Sequence, residues 1–120
     1  MKSKSILIVA GEPNSIFLEI FFKTYKIKKF NSPLILIASL KLLNLQMKKL
    51  NFKKKIKIID PKKINTYKLN NHSINLIDVN YDTNKAFEKI SNKSNNYIHN
   101  CFKIAINLIK SKYSNKLING

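Results

Sequence analysis

The sequence lacks arginine and tryptophan, and it has only two glycines, two histidines and one cysteine in 120 residues. A single cysteine, Cys101, excludes an internal disulfide. Together with His72 and His99 it is also too small a set for a four-ligand structural zinc site. A dinucleotide-binding GxGxxG fingerprint and a Walker phosphate loop each need several glycines, so Gly11 and Gly120 alone exclude both motifs.

Long apolar runs are absent as well. No stretch approaches the roughly 18 apolar residues that a membrane-spanning helix needs. The basic start leads into an apolar run over residues 6–10, which is too short for the apolar region of a signal peptide. We therefore expect a cytoplasmic protein with no membrane partner.

Negative charge is scarce in the sequence. The chain has 6 acidic residues and 23 lysines, which gives a formal net charge of +17. Lysine, isoleucine (19) and asparagine (17) make up nearly half of the chain. These residues share A/T-rich codons, so the composition reflects nucleotide bias and the charge is weak evidence for function. With 44% hydrophobic residues, the chain has enough apolar material for one folded domain.

Hydrophobic periodicity predicts alternating strands and helices. Continuous apolar runs predict strands that are covered on both faces, and apolar residues at intervals of three and four predict amphipathic helices. The predicted strands are 6–10, 33–38, 56–59, 74–79 and 116–120, and the predicted helices are 14–28, 40–50 and 95–113. Residues 62–73 and 81–94 are predicted to be mostly loop.

This alternation is typical of an α/β fold with three layers, in which a mostly parallel sheet is flanked by helices. We expect residues 1–120 to form a single α/β portion. Because the sequence stops in or just after its last predicted strand, the fold is expected to be incomplete.

The one motif at which chemistry is expected is Gly11-Glu12-Pro13, between the first strand and the first helix. Such a turn lies at the carboxyl edge of a parallel sheet, where α/β proteins bind ligands, and it can present a helix N-terminus to an anion. As an isolated tripeptide it is also compatible with a simple tight turn.

A run of residues resembles a known family. Residues 6–20, ILIVAGEPNSIFLEI, resemble the opening of 4-hydroxythreonine-4-phosphate dehydrogenases, in which a strand leads into Gly-(Asp/Glu)-Pro-Ala-Gly-Ile-Gly-Pro-Glu. Further resemblance lies at Ala38-Ser39-Leu40, Leu42-Leu43, Asn95-Asn96-Tyr97, Ala105 and Leu117-Ile118-Asn119-Gly120. It runs in register over essentially the whole chain, which would match the N-terminal third of that family.

The resemblance implies an isocitrate/isopropylmalate dehydrogenase-like fold and an NAD-dependent, metal-dependent oxidoreductase. Its phosphorylated substrate, 4-phosphohydroxy-L-threonine, would be oxidised and then decarboxylated in pyridoxal phosphate biosynthesis. The family acts as a homodimer with sites built across the interface. Its metal-binding histidines and substrate-phosphate contacts fall beyond the position of Gly120, so the resemblance assigns no catalytic and no metal-binding residue here and predicts an inactive fragment.

The turn departs from the family motif. Gly11, Glu12 and Pro13 match and are the predicted cofactor-contacting residues, and Ile16 and Glu19 also match. The two later glycines and the second proline of the motif are replaced by Ser15, Phe17 and Leu18. Because glycine permits close backbone approach to a cofactor, Phe17 is expected to obstruct that approach or to direct the turn into helix.

An alternative function is that of a small basic nucleic-acid-binding module using the Lys48–Lys57 cluster. Lysines neutralise phosphates, but proteins that recognise specific nucleic-acid sequences usually also use bidentate arginine contacts or stacking aromatic side chains. We therefore expect a solvated helix end and strand edge, with no specific nucleic-acid partner. A small flavodoxin-like domain is disfavoured because no phosphate-cradling loop is present. His72 and His99 are expected at the surface, and Cys101 in the core.

Overall fold

The structure is a computed structural model that describes residues 4–120. Five strands, three α-helices and two 3-10 helices make up this part of the chain. The strands are β1 (Ile6–Val9), β2 (Leu34–Ala38), β3 (Ile56–Ile58), β4 (Ile74–Asp78) and β5 (Leu117–Asn119). The α-helices are α1 (Phe17–Ile27), α2 (Leu40–Lys49) and α3 (Asn95–Lys110), and the 3-10 helices span Pro61–Thr66 and Asn92–Ser94.

The strands form one sheet in the order β3-β4-β2-β1-β5, and all four pairings are parallel. β1 lies between β2 and β5, so the continuous apolar run predicted an interior strand correctly. β2 is buried at every position, from Leu34 to Ala38. This is the burial expected of a parallel strand with helices on both faces.

Right-handed crossovers place α1 and α2 on one face of the sheet and α3 on the other, because the connection from β4 to β5 runs back across β2 and β1. On the first face, Phe22 of α1 stacks on Phe52 with ring centres 4.7 Å apart. On the second face, Tyr97, Cys101 and Ala105 of α3 are buried. The sheet is therefore the middle of three layers, and the predicted α/β fold class is confirmed.

Several predicted boundaries differ from the structure. The first helix begins at Phe17 rather than Asn14, because Ser15 N donates to the Glu12 carbonyl in a turn before the helix. The predicted loop 62–73 overlaps a 3-10 helix at Pro61–Thr66, which starts where the Asp60 side chain accepts a hydrogen bond from Lys62 N. α3 ends at Lys110, three residues early, since the backbone turns into positive φ at Lys112.

Candidate functional site at the carboxyl edge of the sheet

The turn Gly11-Glu12-Pro13 follows β1 at the carboxyl edge of the sheet, as predicted. Gly11 has φ +73°, a conformation that glycine adopts with little strain. Gly11 packs closely against the residue that follows β5, because an added Cβ would lie 2.7 Å from the carbonyl oxygen of Gly120. A Cβ on Gly120 would in turn clash with the Phe17 ring. Two glycines therefore let the turn, the end of β5 and the start of α1 pack together.

The carboxylate of Glu12 joins the turn to the start of α3. Its Oε1 accepts a hydrogen bond from Asn14 N at 3.2 Å, and its Oε2 accepts one from Ser94 Oγ at 3.1 Å. Asn14 Oδ1 accepts a hydrogen bond from Glu88 N at 2.8 Å. The turn is thus fixed to the middle and to the end of the long segment that precedes α3.

Gln46 of α2 is completely buried and bridges the same two segments. Its Nε2 donates to the carbonyl oxygens of Pro13 and Ala86, both at 2.9 Å. Its Oε1 has no hydrogen-bond partner within the described part of the chain. A buried amide with both protons used in this way is a strong positional constraint, because leaving either carbonyl unpaired costs free energy.

A second set of contacts joins the ends of β2 and β4. Ser39 caps α2 by accepting a hydrogen bond from Leu42 N at 3.1 Å. Ser39 N donates to the hydroxyl of Tyr97 at 2.9 Å, and Asp78 Oδ1 accepts a hydrogen bond from Leu40 N at 2.8 Å. These bonds bring the start of α2, the end of β4 and α3 to one edge.

Local environment shifts three pKa values here. The hydrogen bond from Thr83 lowers the pKa of Glu88, assisted by the charge of Lys93 and opposed by partial burial. Burial raises the pKa of the Tyr97 hydroxyl far above its ordinary value, so this group remains protonated. Burial also raises the pKa of the Cys101 thiol to about 11, which makes it a poor nucleophile near neutral pH.

The structure brings some of the predicted residues together and separates others. Gly11, Glu12 and Pro13 lie at the carboxyl edge, whereas His72 lies in the loop before β4 and is exposed. His99 is exposed on α3, and Cys101 is buried, as predicted.

Four further polar residues lie at this edge and belong to no sequence motif: Asn14, Gln46, Asp78 and Ser94. Asp78 could have been predicted from its place at the end of a buried strand. Asn14 and Ser94 could not, because their partners lie 74 and 82 residues away in the sequence.

The described residues do not fit a resident metal. Among residues 4–120 no group of three histidine, cysteine or carboxylate side chains could hold a metal ion. The backbone of Gly11 is buried against Gly120. Phe17, which replaces a glycine of the family motif, is the first residue of α1, and cofactor contact by Gly11, Glu12 and Pro13 stays a prediction.

Comparison with known proteins identifies the architecture. The structure is similar to a 4-hydroxythreonine-4-phosphate dehydrogenase from Burkholderia phymatum, with a TM-score of 0.77, 18% identity and coverage of 97% of this chain and 36% of that one. It is similar to a proposed enzyme of that name from Salmonella typhimurium, with a TM-score of 0.80, 21% identity and coverage of 98% and 37%. The chain has the fold of part of these dehydrogenases.

The Klebsiella pneumoniae 4-hydroxythreonine-4-phosphate dehydrogenase is a third similar structure, with a TM-score of 0.72, 17% identity and coverage of 98% and 37%. The resemblance noted in the sequence therefore holds for the fold along nearly the whole chain. The chain spans little more than a third of the length of these dehydrogenases. No protein-family model and no curated protein matches the sequence. Within residues 4–120, no helix combines the length and apolar character needed to cross a bilayer.

Proposed function

We propose that this chain is the N-terminal α/β portion of a 4-hydroxythreonine-4-phosphate dehydrogenase. The catalytic residues of the enzyme would lie outside this portion. The observation that carries the proposal is the structural likeness over 97–98% of this chain to three dehydrogenases of that name. The position of the Gly11-Glu12-Pro13 turn at the carboxyl edge supports it, because α/β enzymes bind their ligands at this edge.

The complete enzyme would oxidise the hydroxyl of 4-phosphohydroxy-L-threonine with NAD and a divalent metal, and the resulting β-keto acid would lose carbon dioxide. The oxidation would transfer a hydride to NAD and release a proton. Its product would enter pyridoxal phosphate biosynthesis, and the enzyme would act as a cytoplasmic homodimer. Residues 1–120 would contribute the sheet and its turn and no catalytic or metal-binding side chain, so the portion alone would be inactive.

An apolar groove beside β5 also supports the proposal. It has a volume of about 200 Å³ and is lined almost wholly by apolar side chains, among them Ile8, Phe17, Ile20 and Ile118. Ile20 and Ile118 are about half exposed. Parallel strands are normally covered on both faces and paired on both sides. The remaining two thirds of a dehydrogenase would pair with β5 and cover this groove.

The reading frame of the gene beyond the codon for Gly120 provides the test. We expect it to continue and to supply histidines for a metal, and we expect the purified longer product to form NADH from NAD and 4-phosphohydroxy-L-threonine when a divalent metal is added. The Klebsiella pneumoniae enzyme is the positive control. A longer product that binds neither NAD nor the substrate would contradict the proposal.

A further inference from the structure

The carboxylates of the molecule are confined to one edge of the sheet. All 6 carboxylates of the sequence end a strand, follow a strand or lie in the first turn of α1, and these positions are at the carboxyl edge. They are Glu12, Glu19, Asp60, Asp78, Asp82 and Glu88. The segments that precede the strands form the opposite edge, which we call the amino edge: 4–5, 28–33, 50–55, 67–73 and 111–116. Nine of the 23 lysines and no carboxylate lie in these segments.

Composition alone does not explain this separation, since biased codon usage acts on both edges equally. The amino edge therefore carries a positive field that no carboxylate within it neutralises. A face of this kind attracts polyanions and accelerates their association.

Two open cavities lie side by side on the amino edge, and the loop 67–72 contributes to both. The first, of about 410 Å³, contains Lys28, Lys29 and Lys54 together with the rings of Tyr25 and Phe30. The second, of about 300 Å³, contains three further lysines and the rings of Tyr67 and Tyr113. Each cavity thus combines three ammonium groups with two aromatic rings.

The lysines and rings are paired in space. Lys54 Nζ lies 4.9 Å from the centre of the Tyr25 ring, and Lys28 Nζ lies 5.5 Å from that of Phe30. Tyr25 and Phe30 are only partly buried, and both rings line the first cavity.

The loop between the cavities is held in place by buried and partly buried amides. Asn71 Oδ1 accepts a hydrogen bond from Leu34 N at 2.8 Å, and Asn71 Nδ2 donates to the Ser32 carbonyl at 2.9 Å. Asn75, which is buried, donates through Nδ2 to the carbonyls of Leu34 and Asn70. The floor shared by the two cavities is therefore fixed before any ligand binds, which lowers the entropic cost of binding.

We propose that the amino edge binds single-stranded nucleic acid, with bases stacking on Phe30 and Tyr25 and phosphates neutralised by Lys28, Lys29 and Lys54. Proteins that bind single strands without sequence preference combine a basic groove with aromatic stacking platforms in this way. The proposal agrees with the prediction that no specific nucleic-acid partner exists. Tyr25 and Phe30 also line the apolar groove beside β5, so the proposal concerns the 120-residue chain by itself, and it is tested by oligothymidine binding rather than by NADH formation.

The test is fluorescence anisotropy of a labelled oligothymidine titrated with the full chain over a range of salt concentrations. We compare the triple variant Lys28→Gln/Lys29→Gln/Lys54→Gln with Lys62→Gln/Lys63→Gln/Lys103→Gln, which removes the same charge from exposed positions away from the amino edge. The first variant should reduce the slope of log affinity against log salt by about 2, since each phosphate contact to a single strand contributes about 0.7. The matched variant should change the slope much less.

Phe30→Leu keeps apolar bulk and removes the ring, so it should weaken binding about tenfold without changing the salt slope. Chemical-shift changes in the unaltered protein on adding oligothymidine should map to residues 28–30, 54 and 67–72, a readout that needs no variant. Equal losses in the two triple variants would overturn the proposal. So would shifts confined to the carboxyl edge, or binding to duplex DNA or anionic phosphatidylserine vesicles that is as tight as binding to oligothymidine.

Discussion

Gly11 and Gly120 lie against each other at the carboxyl edge, where a Cβ on Gly11 would stand 2.7 Å from the Gly120 carbonyl oxygen. Gly120 N also donates to the Val9 carbonyl at 2.8 Å, so β5 is hydrogen-bonded next to the turn. Because backbone rather than a flexible side chain meets the added atom, the contact has little room to relax.

Gly11→Ala should therefore lower the free energy of unfolding by more than about 2 kcal/mol. Left-handed backbone at a residue with a Cβ costs about 1–2 kcal/mol, and the contact with Gly120 adds to it. Urea denaturation measures the loss. Gly11→Asn separates the two causes, since asparagine tolerates positive φ. Recovery of full stability in Gly11→Asn would show that the contact with Gly120 contributes nothing.

The long loop before α3 depends on Gln46. Gln46→Leu keeps a similar volume but removes the donor to the carbonyls of Pro13 and Ala86, and an unpaired buried polar group costs about 1–3 kcal/mol. We expect a loss of about 2 kcal/mol in urea denaturation, with faster amide exchange at residues 14–15 and 87–88. Asn44→Leu, at an exposed position of the same helix, is the control and should change stability by less than about 0.5 kcal/mol. Unchanged exchange in Gln46→Leu would contradict this role.

Lys112 is a non-glycine residue with φ +63°, placed two positions after the end of α3. Tyr113 N donates to the Leu108 carbonyl across this turn, a pattern that favours glycine at the left-handed position. Lys112→Gly should raise the free energy of unfolding by about 1 kcal/mol. Lys110→Gly removes the same charge inside the helix and should instead destabilise by up to about 1 kcal/mol. The two variants should shift the denaturation midpoint in opposite directions, and a shift in the same direction would refute the explanation.

Thr83 controls the ionisation of Glu88, whose carboxylate Oε1 accepts its hydrogen bond at 2.7 Å. Because the pKa of Glu88 is lowered in the folded state, its contribution to stability is present above the ordinary carboxyl range and is lost as pH falls through the lowered pKa. Thr83→Val should raise this pKa toward its ordinary value, as followed by NMR titration of Glu88. Lys93→Gln should also raise it, since Lys93 lowers it through its charge and through a hydrogen bond. An unchanged pKa of Glu88 in Thr83→Val would contradict this role of Thr83.

The sequence predicts the sheet well because β1 and β2 are apolar without interruption, a pattern that only two-sided burial explains. It predicts correctly that residues 81–94 are mostly loop, but it does not predict the path of this loop, since that path is set by remote partners such as Asn14 and Gln46. The position of the Gly11 turn follows from the strand and helix on either side of it. The contact between this turn and Gly120 could not be predicted, because it depends on β5 pairing next to β1.

The backbone conformations of the turns are also predicted poorly from the sequence. With two glycines and 17 asparagines, the sequence predicts asparagine at many positive-φ turn positions. Among residues 4–120 only Asn51 fits this prediction, and Lys112 takes the other positive-φ position that is not glycine. The remaining turns use ordinary backbone conformations stabilised by side-chain hydrogen bonds. Asn70 accepting from His72 N and Ser91 accepting from Lys93 N are two examples.

The most direct measurement of the central claim is NADH formation by the 120-residue chain itself, supplied with 4-phosphohydroxy-L-threonine, NAD and a divalent metal. The Klebsiella pneumoniae dehydrogenase under the same conditions shows that the assay works. We expect the chain to give no NADH above the protein-free rate, because residues 4–120 hold no metal-binding cluster and the Gly11 backbone is covered. NADH formation that rises with the concentration of the chain would show that the chemistry resides in this portion and would contradict the account.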